Sequence, residues 1–331
     1  MPSPADRIDA FQRRHAVVGF PLAVIYKFFD DQGNYLAAVV TYYAFVSIFP
    51  LLLIASSVLG FVLQGNEQFK DQVLTSALGQ FPIVGTQLGQ PKGLQGSASA
   101  VVVGALTALY GVLGLGQAAQ NTVNVAWAVP RNSRLNPILS RLHSFLMLVL
   151  AGLTVLVVAV LTSVLSHADV LGLGLGDNAV LSWLLRLGSL LVNAAVLSVM
   201  MRFATSHRQS FLASLPGALA VAVMWQVLQL LGGAYVGHVV RRANDVNAVF
   251  ALVLGLIAFV YVASVMAVIG LELNVVLTRR LYPRALLTPF TDAVELTDAD
   301  RRVYTDYAKA QRHKGFENVM VSFRRHEAGD D

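Results

Sequence analysis

The chain has 331 residues, of which 56% are hydrophobic and only 13% are charged, and its mean hydropathy is +0.62. Soluble domains carry about 25% charged residues, so the composition excludes an ordinary soluble protein and predicts an all-α, polytopic integral membrane protein. The absence of cysteine excludes disulfides, thiolate metal sites and cysteine nucleophiles. The pI near 9.6 is explained by basic residues in the cytoplasmic loops of a membrane protein. We therefore expect no nucleic-acid partner.

Residues 1–34 have the pattern of a cytoplasmic, amphipathic lead-in. Aromatic and aliphatic side chains are interleaved with Arg13, Arg14 and Lys27, which predicts a segment lying in the headgroup region and interrupted at Pro21. Its mixture of acidic and basic side chains does not match a secretory signal peptide.

The sequence predicts a six-helix transmembrane domain at residues 35–278. This stretch contains a series of apolar runs, and the length of each is close to the roughly 20 residues that cross a bilayer core. The polar joint 65–96 is expected to form a further amphipathic helix on the far side of the membrane. The six predicted spans are 35–63, 97–116, 143–166, 179–201, 211–236 and 247–277.

Residues 279–331 form a charged tail without spanning capacity, in which Thr297 and Asp300 have the spacing of a capping box. An even number of spans puts both termini on one side. That side carries 19 of the 24 Lys and Arg residues. The positive-inside rule therefore predicts cytoplasmic termini in a bacterial inner membrane.

The sequence lacks the motifs that support enzyme chemistry. Its seven histidines are scattered and match no metal-binding pattern, and neither a phosphate-binding loop nor a nucleophile elbow is present. The basic tail lacks the interleaved aromatic side chains of a single-strand nucleic-acid groove. We expect no enzymatic activity, no catalytic residue, no metal and no cofactor.

Polar side chains inside the apolar runs are the most informative functional signal, because a charge in hydrocarbon costs roughly 3 kcal/mol and normally faces protein or water. One interpretation is a cavity open to the inner leaflet, with Arg202 and Glu272 as partners or as ligands of a lipid headgroup. Glu272, the only carboxylate within the predicted spans, would then be a proton or cation site. The other interpretation is packing, in which Arg202 snorkels and Glu272 pairs within the bundle. The candidate cavity residues are Tyr42, Tyr43, Ser47, Pro50, Asn121, Asn124, Arg202, Glu272 and Asn274.

Small residues recur every four positions in the second predicted span, at Ala100, Gly104 and Ala108, and lead into Gly111. Such a face allows helix backbones to approach closely. It predicts close helix packing and permits a homo-oligomer without requiring one.

Several motifs, in order, resemble the YihY/BrkB family of bacterial inner-membrane proteins, whose members once carried a ribonuclease BN label. The resemblance covers about residues 30–278 and leaves the tail outside. The sequence departs from the family's Tyr-Gly-Ser at 247–250 and from its Trp-x-Tyr at 259–261. The matching stretches are Asp30 to Leu53 (DDQGNYLAAVVTYYAFVSIFPLLL), Gln117 to Asn121 (QAAQN) with Trp127, Leu215 to Ala218 (LPGA) with Trp225, Gly233 to Tyr235 (GAY), and Gly270 to Asn274 (GLELN).

This resemblance implies a six-helix protein linked to envelope integrity that moves lipids or lipid-like amphipathic molecules, with membrane lipids as partners. The alternative is a non-transporting scaffold whose tail recruits a cytoplasmic partner. A transporter predicts an accessible cavity that reaches Tyr43, Arg202 and Glu272, whereas a scaffold predicts that these residues are buried in a closed bundle.

Overall fold

The computed structural model describes residues 4–62, 98–166, 179–206, 210–238, 245–289 and 294–323, and the regular structure in these ranges is entirely helical. The all-α class is therefore confirmed for this part of the chain. The predicted amphipathic helix within 65–96 lies outside the described residues. The main helices are α1 (Pro4–Arg14), α2 (Ala16–Asp30), α3 (Gly33–Val62), α4 (Ala98–Ala126), α5 (Pro137–Ser166), α6 (Ala179–Ala204), α7 (Phe211–His238), α8 (Asp245–Arg279) and α9 (Asp298–Ala310).

Three stretches of the described helices are long and apolar enough to cross a membrane: Leu187–Ala204, Phe211–Tyr235 and Val253–Arg279. They coincide with the fourth, fifth and sixth predicted spans. Gly33–Ile48 and Pro137–Leu153 are shorter apolar stretches, and the total of six spans stays a prediction. Large apolar side chains point outward from these helices, as expected where lipid is the solvent.

Helices α3 to α8 form a ring in which each packs against the next and α8 returns to α3. Helix α8 also contacts α2 and α4, so it has more helical neighbours than a simple ring would give it. Its apolar composition on all faces agrees with this central place.

Glycines allow the closest helix contacts. A methyl group at Gly111 or Gly114 of α4 would overlap Val46 or Tyr43 of α3, which confirms the close packing predicted for this helix at Gly111. A methyl group at Gly217 of α7 would overlap the carbonyl oxygen of Gly270 in α8. The α7–α8 contact is therefore a backbone-to-backbone approach that only glycine permits.

The predicted interruption of the lead-in at Pro21 is wrong. Helix α2 continues through Pro21, and the chain breaks instead at His15, whose backbone is extended (φ −115°, ψ 96°). Pro21 is the sixth residue of α2, where it removes one intrahelical hydrogen bond and crowds the carbonyl group of Val17 without ending the helix. The continuous α2 places Ala23, Val24 and Phe28 in buried positions.

We expect Gly217→Ala to destabilise the protein by at least the roughly 1–3 kcal/mol of an overpacked core, because a backbone carbonyl cannot move aside as a side chain can. Gly233→Ala on the same helix is the matched control, since nothing lies within 4 Å of its added methyl group. Thermal unfolding in detergent measures both variants. Equal melting temperatures would contradict the close α7–α8 packing.

Candidate functional site

Glu272, the carboxylate in the last predicted span, is fully buried at the end of the bundle where α2, α4, α8 and α9 meet. Its ion-pair partner is Lys27 of α2, with Nζ 3.4 Å from Glu272 Oε2. Lys27 also donates to the Asp31 carboxylate and to the Ala126 carbonyl oxygen at the end of α4, the latter at 3.0 Å. One ammonium group therefore links three segments that are distant in sequence.

Two opposing effects act on Lys27. Burial by itself lowers the pKa of its ammonium, but the nearby carboxylates of Glu272 and Asp31 outweigh burial and raise the pKa above its ordinary value. The ammonium lies 5.2 Å from the centre of the Tyr307 ring of α9, a cation–π distance. Burial, with Asp31 as a further cause, raises the pKa of Tyr307. Lys27 is thus held in its charged form in a site that water does not reach.

A second buried cation, Arg284, anchors the segment after α8. Its guanidinium donates to the Asp300 carboxylate of α9 and, at 3.0 Å, to Asp30 at the end of α2. Burial alone would lower the pKa of Arg284, and Asp30 and Asp300 reverse this effect and raise it. Asp300 also accepts the backbone N–H of Thr297, whose hydroxyl accepts the Asp300 N–H in turn, so the predicted capping box is confirmed.

Helix α1 forms hydrogen bonds with the segment that follows α8. The Gln12 amide donates to the Arg284 carbonyl oxygen at 2.5 Å, and the Leu286 N–H donates to Asp9 at 2.8 Å. Arg279 donates to Asp306 of α9 and to the Trp127 carbonyl oxygen, both at 2.7 Å. The lead-in, the end of α8 and α9 therefore form one packed unit on the bundle.

Asn274 joins α7 to α8. Its side-chain oxygen accepts the Gly217 N–H at 2.7 Å, and its amide donates to the Ser214 carbonyl oxygen at 3.0 Å. These groups flank Pro216, which has no N–H of its own and disturbs the local helical hydrogen bonds. The LPGA and GLELN motifs are thus in direct contact, and Asn274 forms hydrogen bonds to backbone groups on both sides of Pro216.

The tyrosine pair of α3 is divided between two faces. Tyr43 lies against α4, with its hydroxyl oxygen 3.5 Å from that of Tyr110, and Ser47 is buried on the same side and donates to the Tyr43 carbonyl oxygen at 2.5 Å. Tyr42 is 56% exposed, and its ring meets the Tyr43 ring edge-on, with the two ring centres 5.1 Å apart. Successive helical positions are about 100° apart, so the two side chains start from different faces of α3 although their rings are in contact.

The remaining predicted residues differ from one another in burial and in hydrogen-bond partners. Asn121 is exposed and accepts a hydrogen bond from Arg134 at 3.0 Å, whereas Asn124 is buried and accepts the Ser206 N–H at 3.1 Å. Arg202 is exposed, and no ion pair joins it to Glu272. Pro50 lies within α3, and its side chain is not among those described. The contacts described for Asn121 and Asn124 do not include Glu272, and the cavity expected to reach Tyr43, Arg202 and Glu272 stays a prediction.

The surface of the bundle has an open groove of about 320 Å³ between α3 and α8. Its walls are mainly hydrocarbon and aromatic, and Tyr42 lies at its edge. The hydroxyl of Thr41 is turned away to the Ala37 carbonyl oxygen and to Ser264, at 2.7 and 3.2 Å. The groove is lined by Ala38, Thr41, Tyr42, Phe45, Ile257 and Tyr261.

Sequence reasoning did not identify Lys27, Asp31, Arg284 and Tyr307 as members of a buried site. The available signal was Lys27 inside the apolar stretch of α2, with Asp31 four residues later, a spacing that places both on one helical face. The described residues contain no group of three or more His, Asp or Glu side chains that could hold a metal ion.

Comparison with protein families confirms the family expected from the sequence motifs. The sequence model described as "Virulence factor BrkB" matches residues 24–292. The chain belongs to the BrkB family. The matched region extends beyond the resemblance noted above at both ends, so it includes Lys27 and Arg284 of this BrkB protein as well as its apolar helices. No curated protein and no solved structure gave a significant match.

Lys27→Met is expected to lower the free energy of unfolding by about 3–5 kcal/mol, because it leaves Asp31 and Glu272 buried without their cation. Thermal unfolding in detergent should be compared with Lys309→Met, whose lysine is exposed in the last turn of α9. Adding Asp31→Asn to Lys27→Met should restore part of the loss. A Lys27 variant as stable as the Lys309 control would contradict the role assigned to Lys27.

Arg284→Lys is expected to loosen α9 although the charge is kept, since an ammonium cannot reproduce the forked contacts with Asp300 and Asp30. Hydrogen–deuterium exchange of the 298–310 amides should become faster than in wild type. Arg301→Lys is the control, because Arg301 is an exposed residue of α9 itself. Unchanged exchange in α9 would show that Arg284 does not hold it.

Proposed function

We propose that this BrkB protein transports or translocates membrane lipids or lipid-like amphipathic molecules and thereby supports the integrity of the envelope. The observation that carries the proposal is the groove between α3 and α8. Its volume is at the lower end of the roughly 300–1,000 Å³ typical of ligand sites. Its apolar walls fit a hydrocarbon chain better than a charged headgroup.

The position of the groove supports lateral entry from the bilayer. Tyr42 on α3, Leu254 on α8 and other apolar side chains of these helices are exposed, and lipid would surround them in a membrane. Phe45 packs at the back of the groove against the core that Phe259 helps to form. An acyl chain could enter between α3 and α8 without opening the bundle.

The proposed topology is the one expected from the basic residues: a multi-pass protein of the bacterial inner membrane with both termini in the cytoplasm. This orientation puts Lys27, Glu272 and the packed tail at the cytoplasmic side. The groove then begins about one to two turns inside the cytoplasmic end of α3. The proposal includes neither an enzymatic reaction nor a cofactor.

Lipid movement in proteoliposomes tests this function directly. We expect the purified wild type to move a fluorescent phospholipid to the outer leaflet, where a membrane-impermeant reagent quenches it. Ala38→Phe should reduce the rate at least about tenfold, because the added ring fills the groove. Val39→Phe is the matched control, since Val39 is exposed on the same helix and does not line the groove.

Equal rates in the two phenylalanine variants would place any lipid path elsewhere. Wild-type rates equal to those of empty liposomes, across several lipids, would contradict translocation by the protein alone.

The alternative function is a membrane scaffold that recruits a cytoplasmic partner through the tail. The docking of α9 by Arg284 and Arg279 favours this candidate, since a fixed helix can present a defined surface. A scaffold requires residues 279–331 but not the groove. Loss of envelope integrity on deleting the tail, with Ala38→Phe harmless, would favour the scaffold over translocation.

A further inference from the structure

The charges around Glu272 do not balance when every group is ionised. Two carboxylates, Asp31 and Glu272, face one ammonium group, that of Lys27, and the three residues are 6%, 0% and 2% exposed. The ammonium already contacts Asp31 and the Ala126 carbonyl oxygen. Its 3.4 Å separation from Glu272 Oε2 exceeds the usual 2.7–3.2 Å of such a hydrogen bond. Neither oxygen of Glu272 has a hydrogen-bond donor among the described residues.

A fully ionised cluster would therefore contain one uncompensated negative charge in a buried site, at an effective cost of several kcal/mol. Ionised carboxylates only accept hydrogen bonds, so Asp31 and Glu272 can bond to each other only if one of them carries a proton. Both carboxyl groups contact the same nitrogen, Lys27 Nζ, with Glu272 Oε2 at 3.4 Å, so the two groups are close neighbours. Two carboxyl groups that share one site generally hold one proton between them.

We propose that Asp31 and Glu272 form a proton-binding site in which the two carboxyl groups share one proton beside the Lys27 ammonium. The cluster is then electrically neutral, with one protonated carboxyl, one carboxylate and one ammonium. Tyr307 covers it from α9, with its ring centre 5.2 Å from the Lys27 ammonium. Asp30, the remaining acidic neighbour from α2, is paired with Arg284.

A proton fits this site better than a metal ion does. The Lys27 ammonium already lies beside both carboxyl groups, and a second cation would be placed against it. The Ala126 carbonyl oxygen, the backbone group of the cluster, already accepts a hydrogen bond from this ammonium. The ligand class we assign is therefore the proton itself.

Proton binding at this site would affect how the lead-in and the tail pack on the bundle. This property is separate from the proposed movement of lipids. Loss of the proton adds a negative charge between α2, α8 and α9. The lead-in and α9 should then hold less firmly to the bundle. The readouts below involve no lipid movement, so they succeed or fail independently of that function.

Infrared difference spectroscopy of the purified full chain in detergent tests the proposal. At about pH 7, well above the ordinary carboxyl pKa values, wild type should show the C=O stretch of a buried, protonated carboxyl group. Glu272→Gln should remove this band, whereas Glu295→Gln, at an exposed position, should keep it. Asp31→Asn should weaken the band, because the amide can donate to Glu272 and let it ionise beside Lys27.

A wild-type spectrum without a band that depends on Glu272 would overturn the proposal. Replacing sodium and potassium by choline should leave the band unchanged. A band that grows when these ions are removed would assign the site to a metal cation that displaces the proton.

The pH dependence of thermal unfolding gives a second readout that uses the wild type. An unfolded glutamate loses its proton near pH 4.3, whereas the folded site keeps a proton above this pH, so stability should fall as pH rises. The melting temperature of wild type should decrease from about pH 5 to about pH 9, and that of Glu272→Gln should decrease less. Parallel curves would show that Glu272 does not carry the proton.

Discussion

The packing of the helices at the end of the bundle that the proposed topology places in the cytoplasm depends on the Lys27 ammonium. It links α2, the turn that follows α2, the end of α4 and the last part of α8, and α9 covers it with the Tyr307 ring. A buried ammonium is tolerated only where carboxylates and carbonyl groups surround it. Because its partners come from distant segments, these segments must assemble together for any of them to be stable.

The described helices contain two regions with different physical character, and the contacts around Lys27 belong to the first. At one end, Lys27, Arg284 and Arg279 fix the lead-in and α9 to the bundle through buried or half-buried ion pairs. Between α3 and α8, by contrast, the surface is apolar and open. The first region favours rigidity, and the second has the chemistry of a lipid-facing site. A bundle held firmly at one end can keep such a groove in shape without polar contacts inside it.

Several of the described polar side chains form contacts between helices. Asn274 bonds to α7, Asn124 bonds to the end of α6, and Thr41 bonds to Ser264 of α8. Without water, a buried amide or hydroxyl must find its partner in a neighbouring helix. The polar groups of these three side chains are thus satisfied by contacts between helices. Glu272 differs from them because its oxygens have no described donor.

The sequence by itself was sufficient to predict features that depend on local composition and spacing. They identified the all-helical membrane class, the last three apolar spans, the capping box at Thr297 and the family. They also indicated a tight helix contact at Gly111. Hydropathy and cap spacing act over a few residues, so they can be read without knowing the fold.

Only the tertiary structure decided which polar residues meet. Lys27 and Glu272 are separated by 245 positions, and no local pattern pairs them. The contact of Tyr43 with Tyr110 depends on which helix packs against α3. Likewise, the charged composition of the tail predicts solvation, whereas Arg284 and Asp300 are buried because each neutralises the other. Burial of a charge depends on its partner, and that partner is chosen by the assembled fold.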